Sequence, residues 1–122
     1  IQFRVNDLSA VTINLVDLTV IISNTLDNAI EACEKLPAAD RQIYVQLLLE
    51  DGELFYGVRN RTLPVDLLPG RLPATTKEDP SYHGYGLQNV QTTLKKYHSI
   101  YALNYENGWF EFSTDFLNTS IS

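Results

Sequence analysis

Two dipeptides constrain this chain more than anything else in it. Asp51-Gly52 stands between the β-rich runs Ile43 to Leu49 and Leu54 to Val58, and Asn107-Gly108 stands between Ile100 to Tyr105 and Trp109 to Thr114. Asp-Gly and Asn-Gly suit a type I′ turn, which needs positive φ at both central residues, so each stretch predicts a tight β-hairpin. A helical pattern precedes each hairpin. Asp17 reads as the N-cap of a helix running to about Lys35 and closed by Leu36-Pro37. At 100° per residue, Leu18, Ile22, Thr25, Leu26, Ala29, Cys33 and Leu36 share one face, while Asn24, Asp27, Asn28, Glu31 and Lys35 share the opposite one. Helical spacing returns after Gly86 with Leu87, Val90, Leu94 and Tyr97. Ile1 to Val5 alternates apolar and polar residues, as a half-buried strand does. Five strands interspersed with two long helices predict an α+β two-layer sandwich, a mixed, mostly antiparallel sheet covered on one face by helices.

The 122 residues suffice for a single domain, 1–122, with a core of its own. Fifteen acidic against nine basic residues give a net charge of −6, with no basic run, so nucleic acid is not an expected partner. The lone Cys33 excludes an internal disulfide and, on the apolar helix face, reads as core. No apolar stretch approaches the roughly 20 residues of a membrane span, and no signal peptide opens the chain. A chain that starts with Ile1 and contains no Met reads as a piece of a longer protein. The expected location is cytoplasmic, with any membrane anchor belonging to the parent.

Three clusters carry candidate chemistry. Asn24, Asn28 and Glu31 stack on successive turns of the first helix. Periodicity alone reads them as a solvated face. However, Asn is a poor helix former, and amide and carboxylate oxygens so placed suit a hard cation such as Mg²⁺ bridging to phosphates. Val58-Arg59-Asn60 ends a strand with a polar residue. Gly84-Tyr85-Gly86 opens a helix, either as a plain loop-to-helix turn or as a seat where backbone amides meet an anion. Between the last two, the stretch from about Arg61 to His83 loses periodicity and collects Pro64, Pro69, Gly70, Pro73 and Pro80. So long an irregular stretch in so small a domain is expected to be a lid or disordered.

The order of these features resembles the GHKL nucleotide-binding family, the Bergerat fold of sensor histidine kinases, gyrase, MutL and heat-shock chaperone ATPases. Asn24-Thr-Leu-Asp-Asn28-Ala-Ile-Glu-Ala resembles the family's N box, and Gly84-Tyr85-Gly86-Leu87-Gln88-Asn89-Val90 its G2 box. The resemblance implies that the chain binds ATP with Mg²⁺. It implies that Asn28 is the metal ligand, with Asn24 near the phosphates, and that 61–83 is the ATP lid. Thr75, Thr76, Lys77 and His83 would then be phosphate contacts, beside the Gly84–Leu87 turn. Asn60 stands where the family's adenine-reading Asp is found, in a stretch Asn60-Arg61-Thr62-Leu63 that lacks the usual glycines; its carbonyl still accepts a hydrogen bond, without a charge. Glu31 replaces the Lys or Arg common in histidine kinases, which makes it a candidate metal-shell carboxylate.

Gyrase, MutL and the chaperones carry a Glu four residues before the metal-binding Asn, as the base for hydrolysis; this chain has Asn24, as histidine kinases do. The resemblance therefore implies the catalytic domain of a sensor histidine kinase, most like the bacterial peptide-pheromone receptors. Such a domain passes the γ-phosphate to a His on a separate dimerisation domain, with a response regulator downstream. The alternatives are a nucleotide-blind interaction module of the same fold and an anti-sigma-type serine kinase. His83 and His98 lack the helical acidic context of a phosphoacceptor; His98 reads as a helix-end residue, and Trp109 as part of the closing hairpin.

Overall fold

A computed structural model of the chain describes residues 1–63 and 87–119. Strand β1 (Gln2–Val5) leads into helix α1 (Leu15–Glu34), a single 3-10 turn (Ala38–Asp40) and the hairpin of β2 (Ile43–Glu50) and β3 (Glu53–Arg61). Helix α2 (Leu87–Lys95) then precedes the hairpin of β4 (Tyr101–Glu106) and β5 (Trp109–Leu117). The five strands form one sheet in the order β1-β2-β3-β5-β4. Only β1 and β2 run parallel; every other pairing is antiparallel.

Both hairpins close as their turn residues dictate. Asp51 and Gly52 have φ of 52° and 78°, Asn107 and Gly108 of 52° and 81°, the left-handed pair a type I′ turn requires. The core fills the layer between sheet and helices. Val45, Leu47, Leu54, Tyr56, Val58, Phe112 and Phe116 point from the sheet towards Ile21, Ala29, Cys33, Leu87, Val90 and Leu94. Cys33 is buried and free, as expected. No helix among the described residues is long and apolar enough to cross a membrane.

Three sequence expectations need correction. The N-cap of α1 is Asn14, whose side-chain oxygen accepts the Val16 and Asp17 amides at 2.8 and 3.2 Å. Asp17 lies inside the first turn and is buried. The expected apolar face of α1 lacks two of its members: Asp17 and Ile21 complete the buried i, i+4 row with Thr25, Ala29 and Cys33, which are buried as expected, and Leu18, Ile22 and Leu26 flank that row, half-buried. Two polar members can sit on that row because each has a partner across the interface. Finally, β1 is exposed along its whole length. Helix α1 packs mainly on β3 and less on β2, so Phe3 and Val5 have no cover.

The partners of Asp17 come from the far end of α2. The Tyr97 hydroxyl donates to Oδ2 at 2.6 Å and the Lys96 ammonium to Oδ1 at 2.9 Å, clamping the start of α1 to the end of α2. The Tyr97 hydrogen bond, helped by Lys96, holds the Asp17 carboxyl below its usual range, against the opposing effect of burial. Burial, with the Asp17 carboxylate beside it, pushes the Tyr97 hydroxyl up to about 12. Helix α2 itself ends in a Schellman turn. Ser99 N–H bonds the Leu94 carbonyl and His98 N–H the Lys95 carbonyl, with His98 at φ 56°. His98 is thus a helix-end residue, as expected.

Two stability changes follow. His98→Gly relieves a side chain held in the left-handed region and should raise stability by about 0.5–1 kcal/mol in urea denaturation. Asp17→Asn should lower it by roughly 1–3 kcal/mol. The clamp's contribution should be fully present above pH 3.8 and fall away as pH drops through the lowered Asp17 value, because the folded state resists protonation there. At the alkaline end it should be lost between pH 10 and about 12, since the folded state holds the Tyr97 proton. Denaturation midpoints across pH, in wild type and Tyr97→Phe, check both windows.

Candidate functional site

Thr25, midway along α1, meets Tyr56 of β3 through a buried hydroxyl pair at 2.7 Å, and Thr25 Oγ1 also donates towards the Ile21 carbonyl at 2.7 Å. Burial pushes the Tyr56 hydroxyl up to about 12, with the Thr25 hydrogen bond working the other way. This bond fixes the rotation of α1 about its axis. With Thr25 and Ala29 turned into the core, their immediate neighbours Asn24 and Asn28 lie half-buried along the same flank, one turn apart. Glu31 is exposed. The three side chains thus differ in exposure, with the two amides nearer the core layer than the carboxylate.

Asn60 sits at the end of β3 and is only 3% exposed. Its amide nitrogen donates to the Arg61 carbonyl at 2.9 Å, and its carbonyl oxygen accepts from no described residue. A buried amide held through one donor can still accept a hydrogen bond from an N–H group. Cys33 Sγ points at the same strand end, 3.5 Å from the Arg61 carbonyl and 3.6 Å from that of Gln42. Leu87, at the start of α2, is buried in the core. Thr75, Thr76, Lys77, His83, Gly84, Tyr85 and Gly86 lie outside the described residues, as does most of the expected lid.

A groove of about 540 Å³ runs between α1 and α2. Asn24 and Asn89 meet in it from the two helices; Thr19, Ser23, Thr92 and Thr93 add polar walls, Leu15, Val16 and Val20 apolar ones, and Lys96 stands with them. None of its described lining residues is a carboxylate, an imidazole or a thiol. No cluster of three His, Cys, Asp or Glu able to hold a metal occurs among the described residues. The sequence reading did not include Asn89, Thr92 and Lys96 in a site. Their i, i+3, i+7 spacing was visible, but nothing in the sequence says that this stripe faces α1.

Thr25→Val would leave the Tyr56 hydroxyl buried without its partner. It should cost roughly 1–3 kcal/mol in thermal or urea unfolding, whereas the double change Thr25→Val/Tyr56→Phe should recover part of the loss.

The family model described as the GHKL domain matches residues 13–116. Among curated proteins there is no significant match. Among solved structures, the chain is similar to the catalytic domain of the histidine kinase ThkA, with a TM-score of 0.76 and 14% identity over 98% of this chain and 80% of that one. A histidine kinase domain of the blue-light activated kinase EL346 from Erythrobacter litoralis gives a TM-score of 0.60 and 16% identity, covering 95% of this chain and 52% of that one. ThkA in complex with the response regulator TrrA gives 0.70 and 15%, covering 97% of this chain and 34% of that one. At such identities the structural likeness establishes the fold.

Proposed function

The chain belongs to the GHKL domain family, and from that premise we propose that it is the ATP-binding catalytic domain of a two-component sensor histidine kinase. The observation that carries this reading is the pair of half-buried amides Asn24 and Asn28, one turn apart on α1, with an amide and not a carboxylate at position 24. Hydrolysis needs a positioned base; transfer to a protein nucleophile depends mainly on orientation and electrostatics. An amide at position 24, where the hydrolysing relatives carry a Glu, favours the second.

The residues present fit a magnesium nucleotide. Asn28, with Asn24 one turn away, offers neutral amide oxygens that suit a hard cation already neutralised by phosphates. When bound, Mg²⁺ draws charge from the phosphoryl oxygens and orients them. Asn60 offers its carbonyl to an adenine amine while the bond to the Arg61 carbonyl keeps the amide from turning. Lys77, Thr75, Thr76, His83 and the Gly84–Leu87 turn are proposed as phosphate contacts, and Glu31 as an outer carboxylate. The phosphoacceptor His belongs to a dimerisation domain of the same protein, and ThkA's complex with TrrA supports a response regulator as the next partner. The wording Leu-Asp-Asn-Ala-Ile-Glu-Ala and the glycine-free stretch after Asn60 favour the peptide-pheromone-receptor type, with the parent anchored in a membrane.

Calorimetric titration with a non-hydrolysable ATP analogue tests the reading. Micromolar to sub-millimolar binding that weakens without Mg²⁺ is expected, and Asn28→Ala should lose about tenfold or more of the Mg²⁺-dependent affinity at unchanged thermal midpoint. Full Mg²⁺-dependent affinity in that folded variant would reject the metal-ligand assignment. No heat with or without metal would point instead to a nucleotide-blind interaction module. Acid lability of the phosphorylated partner separates phospho-His from the phospho-Ser of a serine kinase.

A further inference from the structure

The face of the sheet turned away from α1 carries a stack built from three strands. In register, Arg59 of β3 stands opposite Tyr44 of β2, and Arg61 opposite Trp109 of β5. The Arg59 guanidinium lies 5.2 Å from the Tyr44 ring centre and 4.7 Å from that of Trp109, while that of Arg61 lies 4.8 Å from Trp109. The two rings themselves are 5.6 Å apart. One indole therefore draws together two cations that repel each other. Neither arginine forms an ion pair with a described residue that would relieve that repulsion. Glu111 faces Arg59 across β5 in register and still makes no ion pair with it. Among the described residues the Arg61 side chain makes one long hydrogen bond, 3.5 Å to the Asn107 carbonyl.

We propose that this stack is a docking site for an acidic protein segment. Two guanidinium forks present planar donor pairs that match carboxylates. Stacking on Tyr44 and Trp109 holds the forks in place, so the ordering that long side chains normally require on binding is already done. Arg, Trp and Tyr are also the side chains that dominate protein–protein contact energies. Aromatic rings with arginines suit single-stranded nucleic acid as well, but such binding needs a basic groove that follows several phosphates. Here two cations stand on a chain of net charge −6. The proposal does not depend on the nucleotide reading.

Trp109 is the only tryptophan, so its fluorescence reports on this stack alone. Titration of the chain with a capped hexaglutamate peptide at low salt should give a saturable emission change. About 0.5 M NaCl should weaken it by roughly tenfold. Arg59→Gln/Arg61→Gln should abolish it, and Arg59→Lys/Arg61→Lys, which keeps charge but loses the forks, should leave a reduced response. A saturating non-hydrolysable ATP analogue should leave it unchanged, which separates this surface from the nucleotide site. Absence of a saturable change in wild type, an undiminished response in the Gln variant, or tighter binding of a thymidine hexanucleotide than of the peptide would each overturn the proposal. If the Gln variant fails to fold, a salt-independent response, or one undiminished in the Lys variant, overturns it equally.

Discussion

The rotation of α1 about its own axis is the constraint on which the rest of this domain depends. A helix lying on a sheet can roll, and each residue of roll redirects every side chain by 100°. Here the roll is fixed at two points by polar contacts rather than by shape alone: Thr25 to Tyr56 in the middle and Asp17 to Tyr97 and Lys96 at the start. Apolar packing supplies most of the stabilisation but little direction; a buried hydrogen bond is directional and costly to break. The flank holding Asn24 and Asn28 inherits its direction from these two bonds, and α2, tied to the first turn of α1, sets the width of the groove beside it.

Much of this architecture was legible in the sequence, for reasons particular to the elements concerned. The hairpins could be placed because Asp51-Gly52 and Asn107-Gly108 are chemically committed to one turn geometry. The buried face of α2 followed from Leu87, Val90, Leu94 and Tyr97 because its other residues are polar and leave no choice. Helix α1 offered more than one apolar stripe, and the leucine-rich one was the natural reading. That reading held Thr25, Ala29 and Cys33 but not Ile21 or Asp17, and the burial of Asp17 depends on hydroxyl and ammonium groups distant in sequence. Sequence periodicity has no access to such partners. The same limit hid the cap at Asn14, since Asp17 is an equally good capping residue by type. β1 alternates as a half-buried strand does, but alternation reports that two faces differ, not that something covers either of them.

Of the candidate site, the residue types and their order were readable, and the depth of each was not. Asn60 is almost wholly buried, Asn24 and Asn28 are half-buried, and Glu31 is exposed. That gradient follows from strand ends and helix flanks meeting in space. That Asn89, Thr92 and Lys96 line a groove with α1 is likewise a statement about neighbours, which no single segment of sequence contains.

The position of β1 carries a consequence for how the domain assembles. The β2–β3 and β4–β5 ladders each join residues close in sequence, across a two-residue turn. Gln2, by contrast, pairs with Tyr44 across the whole of α1, in the sheet's one parallel pairing. Closing that long loop costs chain entropy before any contact repays it, and the strand gains little apolar burial when it arrives. β1 should therefore be the last strand to join on folding and the first to leave on unfolding, so its amide hydrogens should exchange with solvent well before those of β3 and β5.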